Sequence, residues 1–214
     1  MGLVNQTVSQ ARKNNVQMQS EDMRKLLSFI QSVSTGKVVL AFFIPAMIIY
    51  LIMLLYTIPQ VAKYAPGMNL FDLSPTGYSF EYANELLCTL GSDGRDLYLY
   101  KQLPLDFIYP GLFAVSCSLL LSRLFLKSKN ASSKIFYFCF VPVAAGLFDY
   151  LENICIVRIL TSYPNISDIS VSLASSMTIV KSGLTTAFFI LLILGGALIL
   201  IQKWKRKNQP NVGV

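Results

Sequence analysis

Four long apolar runs, separated by polar stretches, dominate the pattern of hydrophobic and polar positions along this chain. Each run holds about 20 residues, which in helical form is enough to cross a hydrocarbon core of roughly 30 Å. The runs predict an all-α protein, a four-span transmembrane helix bundle. The predicted spans cover residues 38–56, 107–126, 135–154 and 182–201.

The segment before the first span combines a polar tail with a shorter helical pattern. Residues 1–19 are rich in Asn, Gln and Ser, a composition typical of disorder. Ser20 is suited to cap a helix, and apolar residues recur at helical spacing from Met23 to Val33. We expect a short amphipathic helix on the membrane surface; a soluble helix packed on another part of the protein is the alternative. Residues 1–37 thus form a predicted cytosolic tail with an interfacial helix.

Residues 57–105 form the large loop between the first two spans, and their pattern predicts short amphipathic helices. From Ser79 to Leu90 the apolar side chains fall on one helical face, and Gly91 is a typical residue for ending such a helix. Ser92 can cap a second short helix that is rich in aromatic residues. We expect this loop to cover the outer ends of the spans as a lid. The alternative is a loop that packs there only to bury its own apolar face.

The basic residues lie beside the ends of the apolar runs, and their distribution predicts the orientation of the chain. The net charge is +7, and 13 of the 18 Lys and Arg residues fall on the side that holds the N-terminus. Basic segments stay on the cytosolic side of a membrane. Both termini are therefore predicted to be cytosolic, with residues 38–202 as the transmembrane domain and residues 203–214 as a basic tail. Because the charge follows the membrane boundaries, it indicates a lipid-bilayer partner and no nucleic acid.

The composition excludes several kinds of chemistry. The chain has no histidine, which excludes histidine-based catalysis and histidine ligation of haem or metals. The four cysteines form no C-x-x-C pair and no zinc-binding spacing. We therefore predict no metal and no cofactor. Cys88 and Cys155 lie toward the same predicted side, and a disulfide between them is left open.

The third predicted span carries acidic residues, which are costly in lipid and are rare without a partner or a function. Asp149, Glu152 and Asn153 follow one another at spacings of three and four, so they share one side of the helix. Ala145 and Gly146 lie one turn earlier on that side, where small residues allow a neighbouring helix to approach closely. Because of this, we expect the acidic side to face the other spans.

Three charged residues from other segments are expected at about the same depth. Counted from Lys134 at ~1.5 Å per residue, Asp149 lies roughly 20 Å into the span. Asp106 marks the predicted outer end of the second span, Lys181 marks that of the fourth, and Arg158 follows the third. The candidate polar cluster comprises Asp149, Glu152, Asn153, Asp106, Lys181 and Arg158.

Each of these charged residues also has a structural explanation. Asp106 can cap the start of the second span, and Lys181 can extend toward the lipid headgroups. Lys181 or Arg158 paired with the acids forms a structural bridge between the third and fourth spans. A protonated acid instead suits proton exchange or hydrogen bonding to a polar ligand. The sequence leaves both interpretations open.

Three classes of function remain, in order of preference. The first is a non-enzymatic membrane protein that binds a lipid, a small molecule or a membrane-protein partner at a polar pocket in the outer leaflet. The second is a proton- or ion-coupled transporter or its subunit, with Asp149 and Glu152 as the ionisable site. The third is a lipid-modifying enzyme, which needs an activated nucleophile or a metal. The sequence supplies neither convincingly, so it favours a protein without enzymatic activity.

Overall fold

The computed structural model describes Lys25, residues 28–127 and residues 133–207. All regular elements in these residues are helical, and four helices are long and apolar enough to cross a membrane. These four spans are Gly36–Ala62, Phe80–Lys127, Ile135–Ser162 and Asp168–Trp204. The prediction of an all-α chain with four membrane-length helices is confirmed.

Beyond residue 35, the described part of the chain contains six α-helices and four π-helical or 3₁₀ turns. The α-helices are α1 (Gly36–Ile52), α2 (Ile58–Ala62), α3 (Phe80–Leu97), α4 (Leu103–Lys127), α5 (Val141–Ser162) and α6 (Asp168–Lys207). π-Helical turns at Met53–Thr57 and Tyr98–Gln102 join α1 to α2 and α3 to α4, and 3₁₀ turns cover Phe71–Leu73 and Ser133–Phe140. α1 packs against α4, α4 against α5, and α5 against α6. We call the end of the spans beside residues 57–105 the loop end.

The second span begins much earlier than its apolar run. Ser79 caps α3 by accepting a hydrogen bond from the backbone N–H of Tyr82 at 3.2 Å. Gly91 interrupts α3 with φ +63°, a conformation that favours glycine, so the predicted helix start and break are both observed. From Tyr98 the helix then continues into α4 without a cap. Asp106 therefore lies inside the helix, and its interpretation as an N-cap is wrong.

The fourth span also starts earlier than predicted. α6 begins at Asp168, where Ser167 Oγ accepts a hydrogen bond from the backbone N–H of Ser170 at 3.2 Å. Ser167 thus caps the helix about four helical turns before the apolar run of residues 182–201 begins. Lys181 consequently lies in the interior of a helix rather than at the outer end of one.

The third span changes helix type near its start. Residues Ser133–Phe140 form a 3₁₀ turn, and Pro142 lies in the first turn of α5. Proline is tolerated there because its missing N–H has no helical acceptor in the first turn. The position of Pro142 is thus compatible with the start of the α-helix.

The 57–105 segment packs against the loop end of the third and fourth spans. Its buried side chains form an apolar cluster with α5 and α6 that includes Leu70, Phe71, Ala83, Leu86, Leu87, Leu90, Ile156, Ile159, Val171 and Ala174. The backbone N–H of Tyr78 donates to Ser175 Oγ of α6 at 2.8 Å. This packing holds the 3₁₀ turn Phe71–Leu73 beside the spans, where it contributes to the cavity described below.

The outer surface of the spans is apolar. Leu55 is 72% exposed, Ile193 69% and Leu200 68%. Soluble monomers rarely expose extended patches of this kind. The surface is therefore compatible with an integral membrane protein.

Several predictions concern residues at the chain ends and the cysteines. Residues 28–33 are helical, but most of the predicted interfacial helix, the 1–19 tail and residues 208–214 lie outside the described residues. The amphipathic character of the N-terminal helix stays a prediction. Cys88 and Cys155 are free thiols in this structure, so it contains no disulfide between them.

Candidate functional site

A cavity of about 680 Å³ lies between residues of all four spans and the Phe71–Leu73 turn. Its acidic and basic lining residues are at the loop end and comprise Asp72, Asp106, Asp149 and Lys181, and Ser182, Thr185 and Thr186 line it further along α6. Its apolar lining includes Phe43, Met47, Tyr50, Tyr109, Phe113, Cys117, Leu120, Phe188, Phe189 and Leu192. The volume falls in the range of about 300–1,000 Å³ that is typical of small-ligand sites.

Lys181 forms ion pairs with two acids of α5. Its Nζ lies 3.2 Å from Asp149 Oδ1 and 2.5 Å from Glu152 Oε2. Thr178, one turn earlier on α6, donates from its hydroxyl to Glu152 Oε1 at 2.7 Å. The Glu152 side chain is fully buried. Because a buried carboxylate needs such partners, these contacts form a bridge between the third and fourth spans, and Lys181 does not extend toward headgroups.

Asn153 connects α5 to α4 through the backbone of Asp106. Its Nδ2 donates to the Asp106 carbonyl oxygen at 2.8 Å, and Asn153 is fully buried. The close approach of these helices also depends on Gly146, because a Cβ built there would lie 3.0 Å from both Ala114 Cβ and Pro110 O. Small residues at such a contact allow helix backbones to come together.

Among the described residues that line the cavity, the carboxyl group of Asp106 contains a buried oxygen without a partner. The residue is 4% exposed, and its Oδ2 has no hydrogen-bond partner among the residues that the structure describes. Burial of a polar group without a partner is costly. Because Asp106 is also one of the residues that line the cavity, its side chain is a candidate ligand contact.

Arg158 does not join the cluster. Its side chain is exposed, and it follows Asp149 by nine residues. At 3.6 residues per turn, nine residues rotate a side chain by about half a turn. Arg158 therefore lies on the opposite side of α5, and its assignment to the polar cluster is wrong.

The structure adds Asp72, which sequence reasoning missed. Its carboxylate Oδ1 accepts a hydrogen bond from the hydroxyl group of the buried Tyr98, and the residue lines the cavity. The sequence offered one signal, a lone acid in the apolar stretch from Met68 to Leu73. Its position beside the spans depends on packing of residues distant in sequence.

A second missed contact joins the two π-helical turns. The hydroxyl of Thr57 donates to Gln102 Oε1, and both residues are buried. Gln102 lies one turn before Asp106 on the same helix. π-Helical turns inside longer helices occur frequently at functional sites.

Tyr78 contributes a neutral hydroxyl near the same acids. Burial, followed by the negative charge of Glu152, raises the pKa of Tyr78 well above its usual range. The phenol therefore stays protonated and adds no charge.

Acidic groups outnumber basic groups among the described residues at the loop end of the cavity. Four carboxyl groups, those of Asp72, Asp106, Asp149 and Glu152, lie near one ammonium group, that of Lys181. In the described parts of the chain, no group of three or more acidic or cysteine residues is placed to hold a metal ion. The polar end of the cavity is therefore acidic, and its hydrogen-bonding groups are only partly paired.

Comparison of the chain with models of protein families, with curated proteins and with solved structures found no match. The functional argument therefore depends on the geometry of the site.

Proposed function

We propose that this chain is a multi-pass membrane protein whose four spans form a bundle and bind a lipid or small amphipathic ligand in the cavity. The observation that carries the proposal is the cavity of about 680 Å³ with a charged end and aromatic and aliphatic walls. We further propose that both termini are cytosolic, because basic residues gather on that side. The polar end then lies in the outer leaflet.

The lining of α4 supports an amphipathic ligand. Asp106, Tyr109, Phe113, Cys117 and Leu120 all line the cavity. They recur at spacings of three and four, so they form one stripe along the helix. The stripe changes from a carboxyl group at the loop end to wholly apolar side chains further along. A ligand with a polar head and an apolar tail matches this order.

A purely structural role explains only part of the polar cluster. The bridge between α5 and α6 accounts for Lys181, Asp149 and Glu152, whose charges contact one another. It leaves Asp106 Oδ2 without a partner. A bound ligand would provide a partner for that buried oxygen.

The proposal is tested by filling the cavity. Thr185 lines the cavity, and Ile193 on the same helix is 69% exposed. We expect Thr185→Trp to remove a single tightly bound amphiphile, counted by native mass spectrometry of the purified full chain. The matched control Ile193→Trp should retain it. Equal occupancy in the two variants, or no bound amphiphile in the unchanged protein, contradicts the proposal.

A second candidate function is proton- or ion-coupled transport, and the unpartnered carboxyl of Asp106 favours it. Intramembrane acids commonly form proton and ion pathways. In proteoliposomes, this function predicts a flux that Asp106→Asn abolishes and that Asp96→Asn, a change of an exposed acid in α3, leaves intact. Ligand binding without flux supports the first proposal alone.

A further inference from the structure

We propose that the ligand is an amphiphile with a cationic, ammonium-type head, which binds at the carboxyl group of Asp106. This inference rests on the proposed function and specifies the chemical class of the ligand. It follows from how the charges at the loop end of the cavity are already paired.

Lys181, the one ammonium group at this site among the described residues, already has two partners. Lys181 contacts both Asp149 and Glu152, so its charge is shared between two carboxylates. Only 4% of the surface of Asp106 is exposed, yet its Oδ2 has no hydrogen-bond partner among the described residues. A positively charged head placed beside Asp106 supplies the missing partner through a charge-assisted hydrogen bond or ion contact.

The carboxyl group of Asp72 strengthens the preference for a cation. Asp72 lines the same cavity and accepts a hydrogen bond from the Tyr98 hydroxyl, a partner that carries no positive charge. An anionic head would meet Asp72, Asp106 and Asp149, and Lys181, the one lysine among the described lining residues, is already paired. Like charges at short range disfavour such binding.

The cation is organic rather than metallic. No described cluster of acidic residues is placed to hold a metal ion. Tyr109 lies one turn from Asp106, and its ring centroid is 5.7 Å from that of Tyr50, with both residues lining the cavity. Ammonium groups bind favourably to aromatic faces, so this pair suits an alkylated ammonium next to the acid.

The rest of the cavity suits an alkyl tail. Asp106 and Cys117 are 11 positions apart, as are Lys181 and Leu192, and all four line the cavity. At ~1.5 Å per residue each pair spans about 16 Å of helix. Apart from Ser182, Thr185 and Thr186 on α6, the walls along this length are mainly apolar. The ring centroids of Phe113 on α4 and Phe188 on α6 are 5.7 Å apart. A dodecyl chain is of similar length.

The test compares three probes that share a dodecyl tail and differ only in the head. The probes are dodecylammonium, dodecanol and dodecyl phosphate, titrated below micelle formation onto the full chain in a non-ionic detergent. We expect the ammonium probe to raise the thermal stability saturably and to bind about tenfold more tightly than either other probe. Asp106→Asn should remove this preference while dodecanol binds as before. Asp96→Asn, which changes an exposed acid of α3, is the matched control.

The outcomes separate this inference from the proposed function. If dodecanol or dodecyl phosphate binds as well as the ammonium probe, and Thr185→Trp abolishes that binding, the cavity is a ligand site but the cationic head is wrong. If no probe binds, or if binding is insensitive to Thr185→Trp, the proposed function fails as well. The probe comparison in the unchanged protein decides the question even if Asp106→Asn does not fold, and Asp72→Asn then serves as the second variant.

Discussion

Substitution of Lys181 should destabilise the protein, because it leaves two buried acids without their cationic partner. In Lys181→Met the side chain keeps its approximate length but loses its charge. Glu152, which is fully buried, then loses an ammonium group 2.5 Å away, and Asp149 loses the same group at 3.2 Å. The hydrogen bond from the Thr178 hydroxyl to Glu152 then remains, but a single neutral donor does not compensate a buried charge.

The magnitude follows from the burial of the pair. Removing one partner of a buried ion pair costs about 3–5 kcal/mol, because the other charge is left without compensation. For a chain of this size, each kcal/mol shifts the melting temperature by about 2–4 °C. We therefore expect Lys181→Met to lower the free energy of unfolding by about 3–5 kcal/mol and the melting temperature by roughly 6–20 °C.

The assay is a double-mutant cycle on thermal and SDS-induced unfolding of the purified chain. Adding Glu152→Gln to Lys181→Met should recover part of the lost stability, since the neutral amide keeps an acceptor for Thr178. Lys101→Met, a change of an exposed lysine, is the control and should stay within about 0.5 kcal/mol. A loss below about 1 kcal/mol in Lys181→Met, or no recovery in the double variant, refutes the reasoning.

Three further substitutions test the packing around the cavity, each by thermal unfolding. Gly77→Ala should destabilise more than Gly67→Ala, because both have φ +83° but only a Cβ at Gly77 meets Ser175 Oγ, at 2.6 Å; equal losses would show that the contact with α6 is unimportant. Gly146→Leu should separate α4 from α5 and cost about 1–3 kcal/mol or more, whereas Gly183→Leu, with open space around its Cβ, should cost little. Asn153→Leu should cost about 1–3 kcal/mol by leaving the Asp106 carbonyl without its donor, and an unchanged melting temperature would contradict this.

The spans were predictable because hydropathy is a local property of the chain. Each predicted apolar run falls inside one long helix of the structure. The cap at Ser79 and the break at Gly91 were also predictable, since both depend on the chemistry of a single residue and its neighbours. The shared face of Asp149 and Glu152 followed from helical spacing alone.

The errors arose where local information is insufficient. Arg158 was placed by depth alone, and depth along a helix does not specify on which side the residue lies. The capping interpretation of Asp106 assumed that a helix begins where hydropathy rises, but α4 continues from the polar segment at Tyr98. Asp72 reaches the cavity only because the 57–105 segment packs on α5 and α6, and no sequence spacing encodes that contact.

Photochemical cross-linking tests most directly whether the cavity holds an amphiphile. A dodecylammonium probe with a diazirine at the end of its tail would be bound to the full chain in bilayers, irradiated, and the labelled positions mapped by mass spectrometry. We predict labels on the apolar lining around Cys117 and Leu192, and their loss in Thr185→Trp. Labels confined to the exposed surface, such as Ile193 at 69% and Leu198 at 50% exposure, and unchanged in Thr185→Trp, would contradict a ligand site between the spans.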